Sequence, residues 1–171
     1  MKTLILYVTA DGQTKRIAEN IAENIQGEIS IFSLQEHKIS AQQLNNADQI
    51  IIGASIRYGH FKPIVAKFIA QHYEILNQKK SAFFSVNIVA RKPGKNTAQT
   101  NAYTKKFLQK IKWKPTIAEV FAGRLMYPKY RWYDRLAIQF IMRLTGGETD
   151  TTKEFEYTNW KQVKAFAEKF N

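Results

Sequence analysis

Three short stretches bring together residues suited to holding an anion and a flat ring. The first, TADGQT (Thr9 to Thr14), runs straight into KRIAENIAENI. A Gly-containing turn with flanking hydroxyls at a helix N-terminus offers backbone N–H groups and a positive dipole end to an anion, phosphate above all. Its spacing matches neither G-x-G-x-x-G nor G-x-x-x-x-G-K-[ST], which argues against a dinucleotide fingerprint or a Walker-type site. The same residues also read as a plain Gly turn with Thr14 as N-cap. The second stretch, SIRYGH (Ser55 to His60), joins a cation, an aromatic and a glycine. Tyr58 can stack on a flat ring, and Gly59 lets backbone approach it. The third, NIVARKP (Asn87 to Pro93), offers backbone amides, the Asn87 side chain and the Arg91 cation. Plainer roles exist here too, with Tyr58 covering a core edge and Arg91 as one more surface charge.

The elements around these stretches give them a common location. Apolar runs at 3–8, 28–34, 49–55, 82–89 and 117–123 read as strands, three of them continuous enough for burial on both faces. Helical periods fall between them at 14–26, 63–77 and 99–112, and after them at 159–170, where Trp160, Val163, Phe166, Ala167 and Phe170 share a face. Strands alternating with helices imply right-handed βαβ units and an α/β doubly wound parallel sheet. In such sheets ligands sit beyond the carboxyl ends of the strands, where the order reverses. All three stretches lie at such ends.

The chain has 171 residues, no cysteine and a net charge of +12. With no linker, repeat or low-complexity tract, residues 1–171 read as a single domain. The lack of cysteine rules out disulfides and thiolate metal sites, and three dispersed histidines make no transition-metal site, so no metal is expected. The N-terminal apolar run is too short for a membrane span or signal peptide. The positive excess is concentrated: residues 91–114 carry eight basic residues and no acid, and residues 124–143 carry five basic and one acid. Such blocks face solvent, nucleic acid, anionic lipid or an anionic substrate.

Taken together, the motifs resemble those of flavodoxin-like proteins. ILYVTADGQT, IIGASIRYGH, SVNIVARKP, YPKYRWYDR and GGETDT further resemble the bacterial menaquinone-dependent protoporphyrinogen oxidases of haem biosynthesis, over nearly the whole chain. The resemblance implies a flavodoxin-like five-stranded parallel sheet of order 2-1-3-4-5 with helices on both faces, and FMN as cofactor. It places Thr9, Ala10, Asp11, Gly12, Gln13 and Thr14 around the FMN phosphate. Ser55, Ile56, Arg57, Tyr58 and Gly59 then flank one side of the isoalloxazine, and Asn87, Ile88, Val89, Ala90 and Arg91 the other. Asp11 departs from ordinary flavodoxins, which carry a hydroxyl residue there. A carboxylate beside a phosphate dianion is repulsive, so Asp11 is expected to point away or to accept backbone N–H bonds.

The resemblance also implies an insertion, about 124–147, after or within the fifth strand. On a helix over 131–145, Tyr133, Leu136, Ala137, Phe140, Ile141 and Leu144 share one face. Arg131, Arg135, Gln139 and Arg143 take the other, with Trp132 at the boundary and Ile138 and Met142 projecting among the charges. The run is too short to cross a bilayer, which leaves an interfacial helix or one packed on its own domain. The implied substrates are protoporphyrinogen IX, a flat macrocycle with two propionates, and menaquinone or another quinone. Tyr127, Tyr130, Arg131, Trp132, Tyr133, Arg135, Ile138 and Met142 are the expected substrate or membrane residues, and the location implied is cytoplasmic, peripheral on the inner face of the membrane.

The implied reaction removes six electrons from the tetrapyrrole in three two-electron rounds, with no residue standing out as a general base; His60 is assigned no role. Alternatives are a flavodoxin-like electron carrier, a nicotinamide-linked quinone reductase and a nucleic-acid-binding domain. Carriers of this type are acidic, no nicotinamide signature is present, and no helix-turn-helix, RNP-like or zinc pattern accompanies the basic block. No nucleic acid partner is therefore expected.

Overall fold

A computed structural model describes residues 1–171. Its main sheet contains β1 (Lys2–Val8), β2 (Glu28–Ser33), β3 (Gln49–Arg57), β5 (Lys80–Asn87) and β6 (Ile117–Ala122) in the order β2-β1-β3-β5-β6, all parallel. The two-residue β4 (His60–Phe61) pairs antiparallel with the end of β3. With β4 set aside, this is the 2-1-3-4-5 order of the flavodoxin-like arrangement.

Period-2 alternation along buried strands builds two cores. Leu4, Leu6, Val8, Ile50, Ile52 and Phe83 face α3 (Pro63–Gln78), where Val65, Phe68, Ile69 and Leu76 meet them. Phe107 and Leu108 of α4 (Ala102–Lys110) pack against the same side. Ile5, Tyr7, Ile51, Phe84 and Phe121 face the opposite way, onto Ile17 and Ile21 of α1 (Gln13–Glu23) and Val163 and Phe166 of α6 (Trp160–Glu168). The buried Trp113 closes the first core and donates from Nε1 to Ser81 Oγ at 3.0 Å. A short helix absent from the sequence reading, α2 (Ala41–Asn46), starts at Ser40 with a capping box to Gln43.

Between β6 and α6 the chain forms a separate substructure. β7 (Arg124–Met126) leads through a 3-10 turn to α5 (Trp132–Leu144), and β8 (Glu154–Glu156) returns to pair antiparallel with β7. The insertion therefore follows the fifth parallel strand rather than splitting it. It reaches Glu156 rather than 147, because EFE pairs back onto RLM.

Of the two orientations the sequence leaves open, α5 takes the one that turns its larger apolar face outward. Trp132 is 72% exposed, Phe140 62% and Leu144 71%, with Tyr133, Leu136 and Ile141 also exposed. Met142 is buried and Ile138 packs beside it, in a cluster with Leu125, Met126, Tyr127 and Tyr130. Ile138 and Met142 therefore face the protein. The polar residues around them find partners there: Arg135 donates to the carbonyls of Tyr127 and Tyr130, and Gln139 to that of Thr149. An amphipathic pattern says that two faces differ; it does not say which one meets backbone acceptors.

Candidate active site

At the carboxyl ends of β1, β3 and β5, the three loops and the insertion enclose one cavity of about 460 Å³. All of the expected cofactor residues line it except Gly12 and Ala90. Gly12 holds the turn at φ 91, and Ala90 is buried beneath its loop.

The first loop is folded by its own side chains. Thr9 Oγ1 accepts from the Gly12 amide at 2.9 Å, Ser55 Oγ from the Ala10 amide at 3.1 Å, and the Thr9 carbonyl from Lys62 Nζ at 3.1 Å. Gly12, rather than Thr14, is the N-cap of α1, and it has no side chain to satisfy the first-turn amides. Thr14 lies inside the helix, 1% exposed, and its hydroxyl is buried with no hydrogen-bond partner. An orphaned hydroxyl and unsatisfied amides at a helix N-terminus fit a phosphate group.

Asp11 accepts no backbone N–H bond: both its oxygens accept from Arg57 Nη2, at 2.9 and 2.7 Å. Burial raises its pKa above the usual carboxylate value, with the Arg57 charge opposing the rise. The Arg57 guanidinium also lies over the Tyr130 ring, 5.0 Å from its centroid. Arg57 therefore joins the first loop to the insertion.

The second loop is a two-residue hairpin. Arg57 pairs with His60, and the central residues Tyr58 and Gly59 both have positive φ, 52 and 78, as the favoured tight hairpin turns require. Glycine adopts that conformation freely; Tyr58 adopts it at a cost of about 1 kcal/mol or more. Its ring is half-exposed at the cavity, and its hydroxyl donates to Asp134 of α5. His60 is exposed and does not line the cavity. A Cβ at Gly59 would meet Tyr103 Cε1 at 3.1 Å, so Tyr103 of α4 sits against the hairpin tip.

The third loop is held rigidly. Asn87 Oδ1 accepts from the Ala90 amide and from Asn101 Nδ2, both at 3.0 Å, while its Nδ2 donates to Ser85. Its side chain shapes the loop through Oδ1, and one of its two Nδ2 hydrogens is spent on Ser85. Arg91 donates to the Ile88 carbonyl and to Thr145 Oγ1 at the end of α5, where a cation also suits the helix dipole.

The insertion supplies the remaining wall. Tyr130, Ile138 and Met142 line the cavity, joined by Leu125, Ile141 and Thr145, which sequence reasoning missed, as it did Val86, Tyr103, Gly123 and Arg124. Tyr127 is fully buried beneath them, donating to the Glu148 carbonyl, and burial above all pushes its pKa up to about 12. Arg131, Trp132 and Tyr133 face solvent away from the cavity. The return strand is fastened to α1: Gln13 Nε2 donates to Glu156 Oε1 at 2.9 Å and to Thr158 Oγ1 at 3.0 Å. The result is an anion cradle opening into an apolar slot between two loops, roofed by a helix that interrupts no strand.

The chain belongs to the flavodoxin family, whose domain model matches residues 4–152. Within that family it is similar to the protoporphyrinogen IX dehydrogenase [quinone] of Escherichia coli K12, 51% identical over 169 residues that cover 98% of this chain and 93% of that one. The enzyme of the same name from Leishmania major is 47% identical over 171 residues, covering 99% of this chain and 74% of that one. Among solved structures, an archaeal flavodoxin aligns with a TM-score of 0.54 at 15% identity, covering 99% and 96% of the two chains. Flavodoxin 1 of Bacillus cereus gives 0.53 at 16%, covering 99% and 97%. At such low identity these two likenesses concern the fold alone.

Proposed function

We propose that this protein is an FMN-dependent oxidoreductase that oxidises protoporphyrinogen IX to protoporphyrin IX and delivers the electrons to a quinone. The observation that carries this reading is the single cavity shared by the cofactor loops and the insertion wall, in a chain 51% identical to a quinone-linked protoporphyrinogen IX dehydrogenase. A pure electron carrier needs no apolar wall of this kind.

FMN, when bound, supplies the two-electron redox chemistry. The residues of this chain then have separable tasks. Thr14 Oγ1 and the first-turn amides of α1 would hold the phosphate. The hairpin at Tyr58 and Gly59 and the loop at Ile88 and Val89 would confine the ring from its two sides. Tyr130, Ile138, Ile141 and Met142 keep water from the remaining wall and offer a surface on which a flat apolar reductant or quinone can lie. Three two-electron rounds remove the six electrons and six protons that separate the substrate from its product.

We further infer that the acceptor is menaquinone and that the protein works at a membrane surface. No helix is long and apolar enough to cross a membrane. The outward row of α5, Trp132, Leu136, Phe140 and Leu144, suits immersion in the headgroup plane instead. The test is anaerobic oxidation of protoporphyrinogen IX by the purified FMN-loaded protein, followed as porphyrin fluorescence with and without menaquinone. Menaquinone-dependent product formation is expected; a rate no greater than the uncatalysed one overturns the assignment.

A further inference from the structure

The proposed substrate carries two carboxylates, and the cations lining the cavity are already occupied. Arg57 pairs with Asp11, Arg124 with Glu154, and Arg91 with backbone and hydroxyl oxygens. The insertion arginines do not fill the gap. Arg135 is spent on two carbonyls, and Arg131 donates to Tyr133 on the outer surface. Arg143 falls about 160° around α5 from the cavity-lining Ile141, at 100° per residue.

Helix α4 provides cations without partners. Its buried Thr104 and its Phe107 and Leu108 face the domain. Tyr103, Lys106 and Lys110 lie within about 60° of one another on one flank, three and seven residues apart. Tyr103 fixes which flank this is, since it lines the cavity and abuts the hairpin at Gly59. Lys106 and Lys110 are exposed, and every ion pair of the protein lies elsewhere. No acidic residue occurs anywhere from 91 to 114.

We propose that Lys106 and Lys110 bind the two propionates of the tetrapyrrole, with Tyr103 beneath the macrocycle where it leaves the cavity mouth. The proposal rests on the tetrapyrrole-oxidising reading above. The propionates project from neighbouring pyrroles on one side of the ring. The two ammonium groups stem from positions one helical turn apart, about 6 Å along the axis. A macrocycle reacting at the mouth must extend past it, and this flank offers it an unpaired cationic border. Charge here also raises the local concentration of a dianionic ligand.

The experiment measures binding of protoporphyrin IX and of its dimethyl ester to the FMN-loaded protein, by fluorescence, together with steady-state oxidation of protoporphyrinogen IX at saturating quinone. Relative to wild type, Lys106→Gln/Lys110→Gln should weaken protoporphyrin IX binding and raise the KM for protoporphyrinogen IX at least tenfold, with FMN content unchanged. Diester affinity should be the same in both proteins, and Lys106→Arg/Lys110→Arg should restore dicarboxylate binding. Lys105→Gln, on the opposite flank, should change nothing. Unchanged protoporphyrin IX affinity, or an equal loss for acid and diester, overturns the proposal. So does a loss confined to phosphatidylglycerol vesicle binding, which would make the flank a lipid contact. Failure of the wild type to oxidise protoporphyrinogen IX while it still binds the dicarboxylate through these lysines would instead sink the functional reading.

Discussion

Tyr58 Oη donates a hydrogen bond of 2.5 Å to Asp134 Oδ1, joining the β3–β4 hairpin to a helix 76 positions away in the chain. Desolvation first, and the Asp134 hydrogen bond and charge next, push the Tyr58 pKa up to about 12. The neutral phenol is the form the fold favours. Its contribution is therefore complete below the unfolded value near 10 and is lost as pH rises from there through about 12. Tyr58→Phe and Asp134→Asn should each loosen α5 by about 1 kcal/mol, a charged hydrogen bond discounted for exposure. Hydrogen exchange of α5 amides checks this, and the double variant should be no worse than either single one.

The outward apolar face of α5 separates two kinds of substitution on one helix. Met142→Ala empties a buried site and should cost about 2–4 kcal/mol in chemical denaturation. Phe140→Ser/Leu144→Ser alters only exposed positions and should cost under about 1 kcal/mol, yet reduce partitioning onto lipid vesicles about tenfold. Equal vesicle binding by that variant and wild type would show that the outward row has no lipid role.

Thr14→Val removes the orphaned hydroxyl and keeps the shape. The apo-protein should keep its stability or gain up to about 1 kcal/mol, because an unsatisfied buried polar atom is gone. FMN affinity, read by fluorescence titration, should fall about tenfold. Unchanged affinity would mean that this hydroxyl does not meet phosphate.

Asp11 has the opposite sign. Its raised pKa means that the folded apo-protein holds a proton the unfolded chain releases, so stability falls as pH climbs just above 3.8. Asp11→Asn should remove that slope, keep an oxygen for Arg57 and, if the phosphate sits in the proposed cradle, strengthen FMN binding several-fold by deleting a negative charge from the same loop. Urea titrations between pH 3 and 7 and FMN titration at neutral pH test the two effects separately.

The parallel sheet was legible in the sequence because strands buried on both faces read as apolar runs, as in TLILYV and QIIIGAS. The cofactor loops were legible because they follow those strands directly. Helix α2 was missed although SAQQ carries its capping-box signature, since one buried side chain, Leu44, makes no period. The second wall was less accessible to sequence reasoning. Ile141 and Thr145 reach the cavity only because Arg135 and Gln139 turn inward to carbonyls brought near by the tertiary fold. Tyr103 was passed over for a similar reason: β4, α3 and β5 all lie between it and its neighbour, Gly59, in the chain.

The pairing of β7 with β8 brings Arg124 opposite Glu156, and the amide of Tyr157 bonds the carbonyl of Gly123 at 3.0 Å. The chain thus leaves the scaffold and rejoins it at nearly one point. Material grafted at such a junction leaves the strand order and crossovers untouched, and loop-closure entropy rises only slowly with its length. The wall that such an insertion adds to the cavity can be enlarged or retailored without rethreading the sheet beneath it. In this chain Gln13 keeps the junction from becoming independent, because the helix that starts the cradle also holds the graft's returning end.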